Sequence, residues 1–358
     1  MKNEAVIVPG INELIRESPG FRKKQLADYK LDILGLCGFG CRYCSSNQGN
    51  YLRINRTNFR EASVEQLGYP AVPTTHPELT IEWVDVLEKL EAQLRAKPKT
   101  WGGGKTLVFS MLTDGFSPRQ VQSGLTQQVL EFVLERTSFR IRILTKNAIV
   151  GSETWLRFFS NHRDRFVVGL SCGSLDDQWA RRIELGTSLP AARLKALRRL
   201  QDAGVPTFGM ACPVFPDVLL QDGELERLVD AMRPELVETI WAEPYNDRLN
   251  WKTVRDGYPP TSPARTWFDE VYGRKRFDMW SEYAANLYTR LHGLLADRGQ
   301  DHKLKYLLYE DRIAPQHAPS FRGFAGVLLQ SKPGDDGRSK NPAVRDLQQP
   351  RRGLSRGS

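Results

Sequence analysis

The stretch "LDILGLCGFGCRYC", residues 31–44, runs from an apolar segment straight into Cys37, Cys41 and Cys44. Residues 31–36 are near-continuously apolar, the pattern of a strand covered on both faces. Gly38 and Gly40 then let the backbone curl so that three sulfurs can face one point. Two metal readings follow. A structural zinc site draws on four ligands, usually as two pairs, and the nearest downstream histidine is His76, in an irregular stretch. An iron–sulfur cluster accommodates the dense spacing more naturally, and three thiolates on a four-iron cluster leave one iron without a protein ligand.

Five further segments share the strand-like character of residues 31–36: "TLVFSML" (106–112), "RIRILT" (140–145), "FVVGLSC" (166–172), "VPTFGMAC" (205–212) and "ETIWAE" (238–243). Between them, "IEWVDVLEKLEAQLRA", "QQVLEFVLERT", "ARLKALRRLQDAG" and "GELERLVDAM" carry apolar residues at spacings of three and four, as helices do. Such repetition implies an α/β fold with right-handed crossovers, either an open doubly wound sheet or a full or partial (β/α) barrel. Spacing alone does not choose between them. Cys37, Asp114, Lys146, Cys172, Cys212 and Glu243 fall at or just beyond the C-terminal ends of the six predicted strands, the end that carries the active site in β/α folds.

Elsewhere the pattern is less regular. Residues 1–28 read as an N-terminal extension and 29–250 as the main α/β unit. Residues 45–80 read as a long connection containing Arg53, Arg56 and Arg60 among Tyr51 and Phe59. Residues 251–278 read as loop and "MWSEYAANLYTRLHGLLADRG" as a long helix ending at Gly299, so that 251–330 forms a small C-terminal helical cap. Residues 331–358 hold seven cationic and three acidic side chains and are expected to be a disordered basic tail.

The chain has 358 residues, 40% of them hydrophobic and 26% charged, enough to bury a large core without staples. Five clustered cysteines, and no apolar leader in "MKNEAVIVPGINELIRESPG", argue against a secreted disulfide framework and for a reducing cytoplasm. Apolar runs are too short to cross a bilayer, so no membrane partner is expected. The net charge of +9 favours polyanionic partners only weakly.

Cys-x3-Cys-x-aromatic-Cys after a first strand, with Tyr43 as the aromatic, resembles the radical S-adenosylmethionine (SAM) superfamily. "SMLTDGFSP", "ILTKN", "GLSCGSLDD", "RRIELGTSLPAARLKALRRLQDAGVP" and "WAEPYNDR" are similar to its spore photoproduct lyase-like branch, over roughly residues 20–250, with a weaker echo in "GRSKNP". The resemblance implies a partial TIM-like (β/α)6 barrel. It also implies a [4Fe-4S] cluster on Cys37, Cys41 and Cys44, with SAM bound at the open iron and cleaved reductively to a 5′-deoxyadenosyl radical that takes a hydrogen from the substrate. By the same resemblance Tyr43, Thr113, Lys146, Ser171 and Glu184 fall where that family touches SAM, and an electron donor such as a flavodoxin or ferredoxin is implied.

Two features depart from that pattern. The "GGE" that often follows the second strand is absent, and "WGGGKT" (101–106) does not replace it, because its glycines precede the strand and read as a turn. The DNA-repairing lyases place a hydrogen-donating cysteine where this chain has Met111, which has no S–H; Cys172 and then Cys212 are the thiols left for that role. A nucleic acid or nucleotide-derived substrate is the preferred expectation, from the cations and aromatics of "NYLRINRTNFR". A peptide or small-molecule substrate, and a non-enzymatic zinc-stabilised nucleic-acid-binding protein, are the alternatives.

Overall fold

The apolar runs assemble into two sheets in this computed structural model, which describes residues 4–309 and 312–330. The expected basic tail, 331–358, lies outside the described residues. Twelve strands are present among the described residues: β1 (Ala5–Val8), β2 (Ile15–Glu17), β3 (Tyr29–Leu31), β4 (Leu34–Cys37), β5 (Thr80–Trp83), β6 (Thr106–Phe109), β7 (Arg140–Thr145), β8 (Phe166–Leu170), β9 (Thr207–Val214), β10 (Val237–Pro244), β11 (Leu304–Tyr309) and β12 (Val327–Gln330). The main sheet runs β2-β3-β6-β7-β8-β9-β10-β11-β12. Every pair in it is parallel except β2 with β3. The sheet is open among the described residues, with β2 at one edge and β12 at the other.

Helices α3 (Val86–Arg95), α4 (Leu125–Arg136), α5 (Glu153–Asn161), α6 (Asp177–Ile183), α7 (Pro190–Asp202), α8 (Glu224–Met232) and α9 (Phe277–Ala296) cover one face of the main sheet. Of the two earlier helices, α1 (Pro19–Lys23) sets Phe21 against the core on the other face, and α2 (Asn50–Leu67) packs on the small sheet. Val129 and Val133 of α4, Phe159 of α5 and Leu197 and Leu200 of α7 pack on Ile141, Ile143, Phe166 and Val168. Leu225 and Leu228 of α8 and Trp280, Leu287 and Leu291 of α9 pack on Ile240, Ala242, Tyr306 and Leu308.

The intervening strand residues point the other way, as a period of two requires. Val167, Phe208, Met210, Trp241 and Leu307 form a separate core with Leu26 from the segment after α1. That segment is tied down by Trp241, whose indole N–H donates to the Lys24 carbonyl at 2.9 Å, and by Arg142, which donates to the Leu26 carbonyl. The Arg142 guanidinium also lies over the Trp241 ring at 4.7 Å and the Phe208 ring at 5.4 Å.

The structure redraws several expectations. The first strand is not continuous: β3 joins the main sheet beside β6, whereas β4 leaves it and pairs antiparallel with β5 in a small sheet ordered β1-β5-β4. Asp32, buried between them, sits 3.4 Å from Lys30 and 4.0 Å from Arg16, which places a charged group where a continuous apolar strand would need none. The long connection 45–80 contains α2. The "IEW" that was to begin a helix is strand β5, and α3 starts only at Val86. Residues 251–278 contain short helices at Trp251–Arg255 and Pro263–Phe268. The expected cap holds α9 but also β11 and β12, which extend the main sheet beyond six parallel strands. Thr100–Lys105 is a turn ahead of β6, with Gly102 at φ +85° and Gly104 at φ +70°. No helix among the described residues is long and apolar enough to cross a membrane.

Candidate active site

A cavity of about 670 Å³ opens at the C-terminal ends of the parallel strands. It gathers Cys37 from the end of β4, Cys41 and Cys44 from the loop that follows, Met111–Asp114 after β6, Thr145 at the end of β7 with Lys146 just beyond it, and Ser171 after β8. Cys212, Glu243 and Tyr309 line it from β9, β10 and β11. Strand ends that are remote in sequence therefore meet around one space, at the position where α/β sheets bind ligands.

The cysteine loop is held in a specific shape. Gly38 and Gly40 adopt φ +68° and +62°, and a Cβ on Gly38 would stand 2.6 Å from Thr80 Oγ1 and one on Gly40 2.9 Å from the Pro77 carbonyl. Both conformation and close approach require glycine. Arg42 pins the loop by donating to the carbonyls of Arg182 at 2.8 Å and Thr253 at 3.2 Å, while its own N–H meets the Ile183 carbonyl at 2.8 Å. With its amide oriented to suit its neighbours, Asn47 accepts from the N–H groups of Gly40 and Cys41, each at 3.3 Å.

All five cysteines are free thiols. Burial pushes the Cys37 thiol up to about 12, with Cys44 and Asp114 adding to the effect; burial and then Glu184 push Cys41 up as well. Among the described residues, no three His, Cys, Asp or Glu side chains form a ready single-ion metal site.

Next to the cysteines, the Lys146 ammonium donates to Ser171 Oγ at 3.0 Å and lies 5.6 Å from the Tyr43 ring centroid. Thr113 Oγ1 is buried with no hydrogen-bond partner among the described residues. Asp114 serves the framework. Its carboxylate accepts from Thr145 Oγ1 at 2.9 Å, from the Lys146 N–H at 2.8 Å and from the Phe116 N–H at 2.9 Å, which locks the end of β7 to the loop after β6. Burial raises its pKa in spite of those bonds.

Glu184 does not line the cavity. It accepts from the Tyr43 hydroxyl and from the Arg193 guanidinium, both residues of the ion pair being almost wholly enclosed. Burial alone would raise the Glu184 carboxyl; the Arg193 charge, then Lys146, outweigh it and hold the group below the usual range. Arg193 also donates to the Ser171 carbonyl. Glu184 therefore reaches the cavity through its neighbours, Tyr43 directly and Ser171 by way of Arg193.

The two remaining thiols differ. Cys172 is 1% exposed, lies outside the cavity lining and points its Sγ at the Ser174 carbonyl, 3.2 Å away. Cys212 lines the cavity, which reverses their expected order. Gly173 serves the close passage of this segment against the Pro213 carbonyl, which a Cβ would strike, rather than access to Cys172. Met111 lines the cavity, as expected of its strand end.

The sequence reading missed Lys24, Asn47, Asn246, Arg248 and Tyr309, all in the lining. Tyr309 accepts from Lys24 Nζ at 3.2 Å and bonds to Glu243, and its ring lies 4.2 Å from the Arg248 guanidinium. Asn246 and Arg248 carried a signal, their position just past a strand end; Lys24 and Tyr309 did not, because α1 and β11 were not foreseen at the cavity. Of the three arginines on α2, Arg53 lines the cavity, while Arg56 and Arg60 line a neighbouring surface groove.

No family model matches the sequence. Over 161 residues the chain is 24% identical to the uncharacterized protein ORF301 of Acidianus two-tailed virus, a match spanning 44% of this chain and 52% of that one. The chain thus spans about half the length of the curated relative it matches. Among solved structures it is similar to spore photoproduct lyase complexed with dinucleoside spore photoproduct, at 18% identity and a TM-score of 0.45, covering 72% of this chain and 67% of that chain. It is also similar to histidine-tagged anSMEcpe with bound AdoMet, at 12% identity and a TM-score of 0.44, covering 77% and 61%.

Proposed function

We propose that this protein is a radical SAM enzyme whose sheet curls into a partial barrel around the cavity, and that it removes a hydrogen from a nucleic acid or nucleotide-derived substrate. The observation that carries the reading is the meeting of Cys37, Cys41 and Cys44 with Thr113, Lys146 and Ser171 around one space at the strand ends. The residues fit a [4Fe-4S] cluster and SAM: three soft thiol donors at a loop shaped by two obligatory glycines, a buried hydroxyl without a partner among the described residues in Thr113, and a cation in Lys146 on the same lining. When bound, the pair supplies one-electron chemistry that ends in hydrogen abstraction.

The chain's own residues prepare for that chemistry. Buried thiols with raised pKa values stay protonated until a metal displaces the proton. Lys146 offers its ammonium to an anionic group such as the SAM carboxylate, and Thr113 offers a hydroxyl to the same ligand. Tyr43, fixed by Glu184, walls the space between the cysteines and Lys146. Apolar packing beneath the cavity keeps water from the strand ends.

A polyanionic substrate is supported by α2. Arg53, Arg56 and Arg60, spaced i, i+3 and i+7, share one helix face; all three are exposed, and Arg53 reaches the cavity. The test is to incubate the reduced, cluster-loaded protein with SAM and deuterated nucleotide or peptide pools. Deuterium in 5′-deoxyadenosine from the nucleotide pool is the expected result; transfer from the peptide pool alone overturns the substrate class.

A further inference from the structure

Asn246 lines the cavity just beyond β10 and is only 6% exposed. Neither its Nδ2 nor its Oδ1 has a hydrogen-bond partner among the described residues. A buried donor and acceptor left unmade are costly, and native proteins seldom tolerate either. The backbone around it, by contrast, is well engaged. Asp247 Oδ1 accepts from the N–H groups of Asn250 and Trp251, each at 2.8 Å. Asn250 Oδ1 accepts from the Tyr245 hydroxyl and the Arg248 N–H, each at 3.3 Å, and the Tyr245 carbonyl accepts from the Trp280 indole at 2.8 Å. The loop is thus fixed on both sides of one residue whose amide is left open toward the cavity.

A primary amide presents a donor and an acceptor in one plane. Its natural complement is a flat ligand edge with an acceptor beside a donor, the arrangement that asparagine reads bidentately on a nucleobase. Arg248 and Tyr309, which also line the cavity and stack on one another, add a flat polarizable surface suited to a planar ring. We propose that Asn246 selects a nucleobase in this cavity by pairing its amide with the base edge. The proposal rests on the radical SAM reading above and deepens it. Two sources can supply such an edge: the adenine of SAM, or a base of the substrate.

Calorimetric titration of cluster-reconstituted wild type, Asn246→Asp and Asn246→Leu separates them, with SAM and the deoxydinucleotides of A, C, G and T as probes. Both substitutions preserve side-chain size; the first removes the donor, the second both groups. The expected result is a loss of roughly tenfold or more in affinity for one class of probe while the other binds as to wild type. Loss confined to SAM assigns the edge to its adenine, and loss confined to a deoxydinucleotide assigns it to the substrate. Unchanged affinity throughout, or equal loss for every probe, overturns the proposal. The visible absorbance of the cluster is read on the same samples. If wild type shows none, the radical SAM reading fails while the deoxydinucleotide titrations still decide Asn246.

Discussion

Tyr43 hands its hydroxyl to Glu184, and Glu184 in turn takes the Arg193 guanidinium, both deep in the protein. A buried ion pair contributes little when intact compared with hydrophobic packing, but removing one partner strands the other charge, at a cost of roughly 3–5 kcal/mol. Glu184→Leu is therefore expected to lower urea-denaturation stability by about that amount, and Glu184→Leu combined with Arg193→Leu to recover part of the loss. A double variant weaker than both singles would contradict the pairing. The thiols give a second prediction. Cys212 lines the cavity and Cys172 does not, so Cys212→Ala should keep SAM cleavage but raise the SAM consumed per product, while Cys172→Ala should leave that ratio unchanged. A shift with Cys172→Ala instead would restore the order that sequence suggested. At this scale the sequence was legible where chemistry and position coincide, as at Cys37, Lys146 and Ser171. It was opaque where a role passes through a neighbour, as for Glu184, because contact across the fold leaves no local pattern.

Helix α2 was hidden by its composition. Leu52, Phe59, Ala62 and Leu67 are spaced by seven, three and five, too sparse for a strong helical period, because the helix packs only along a narrow line on the small sheet. The arginines flank that line on the exposed side of the helix. If phosphate groups lie along that face, the salt dependence of nucleic-acid binding should flatten by about one unit of log–log slope for each arginine that meets a phosphate. Arg53→Gln, Arg56→Gln and Arg60→Gln, alone and together, are the variants to compare in a salt titration. A slope indifferent to all three would remove α2 from the substrate path. The first strand, in turn, was misread because "LDILGL" looks uninterrupted, yet buried Asp32 with Lys30 and Arg16 divides β3 from β4. That break aims the cysteine loop from the small sheet toward the ends of the large one.

Across the whole molecule, alternation of apolar strands and amphipathic helices made the parallel α/β architecture readable, and strand-end placement pointed to the cavity that these residues line. The later strands were not readable: "LKYLLY" lies beyond the long helix that ends at Gly299 and fell within the stretch assigned to a helical cap, so β11 was not foreseen. Its place beside β10 matters, because it brings Tyr309 to the cavity. Truncation after Gly299 would uncover the β10 edge and remove that wall, and it is expected to yield aggregated protein; a soluble, SAM-binding truncation would show that β11 and β12 are dispensable. The central claim is that three cysteines hold a cluster whose fourth iron is open to SAM. Anaerobic reconstitution with iron and sulfide, followed by electron paramagnetic resonance of the reduced protein with and without SAM, tests it most directly. The account predicts about four irons and four sulfides per chain, a spectrum that changes when SAM is added, and loss of the cluster in Cys41→Ala. One zinc per chain without iron or sulfide, or a spectrum indifferent to SAM, would contradict it.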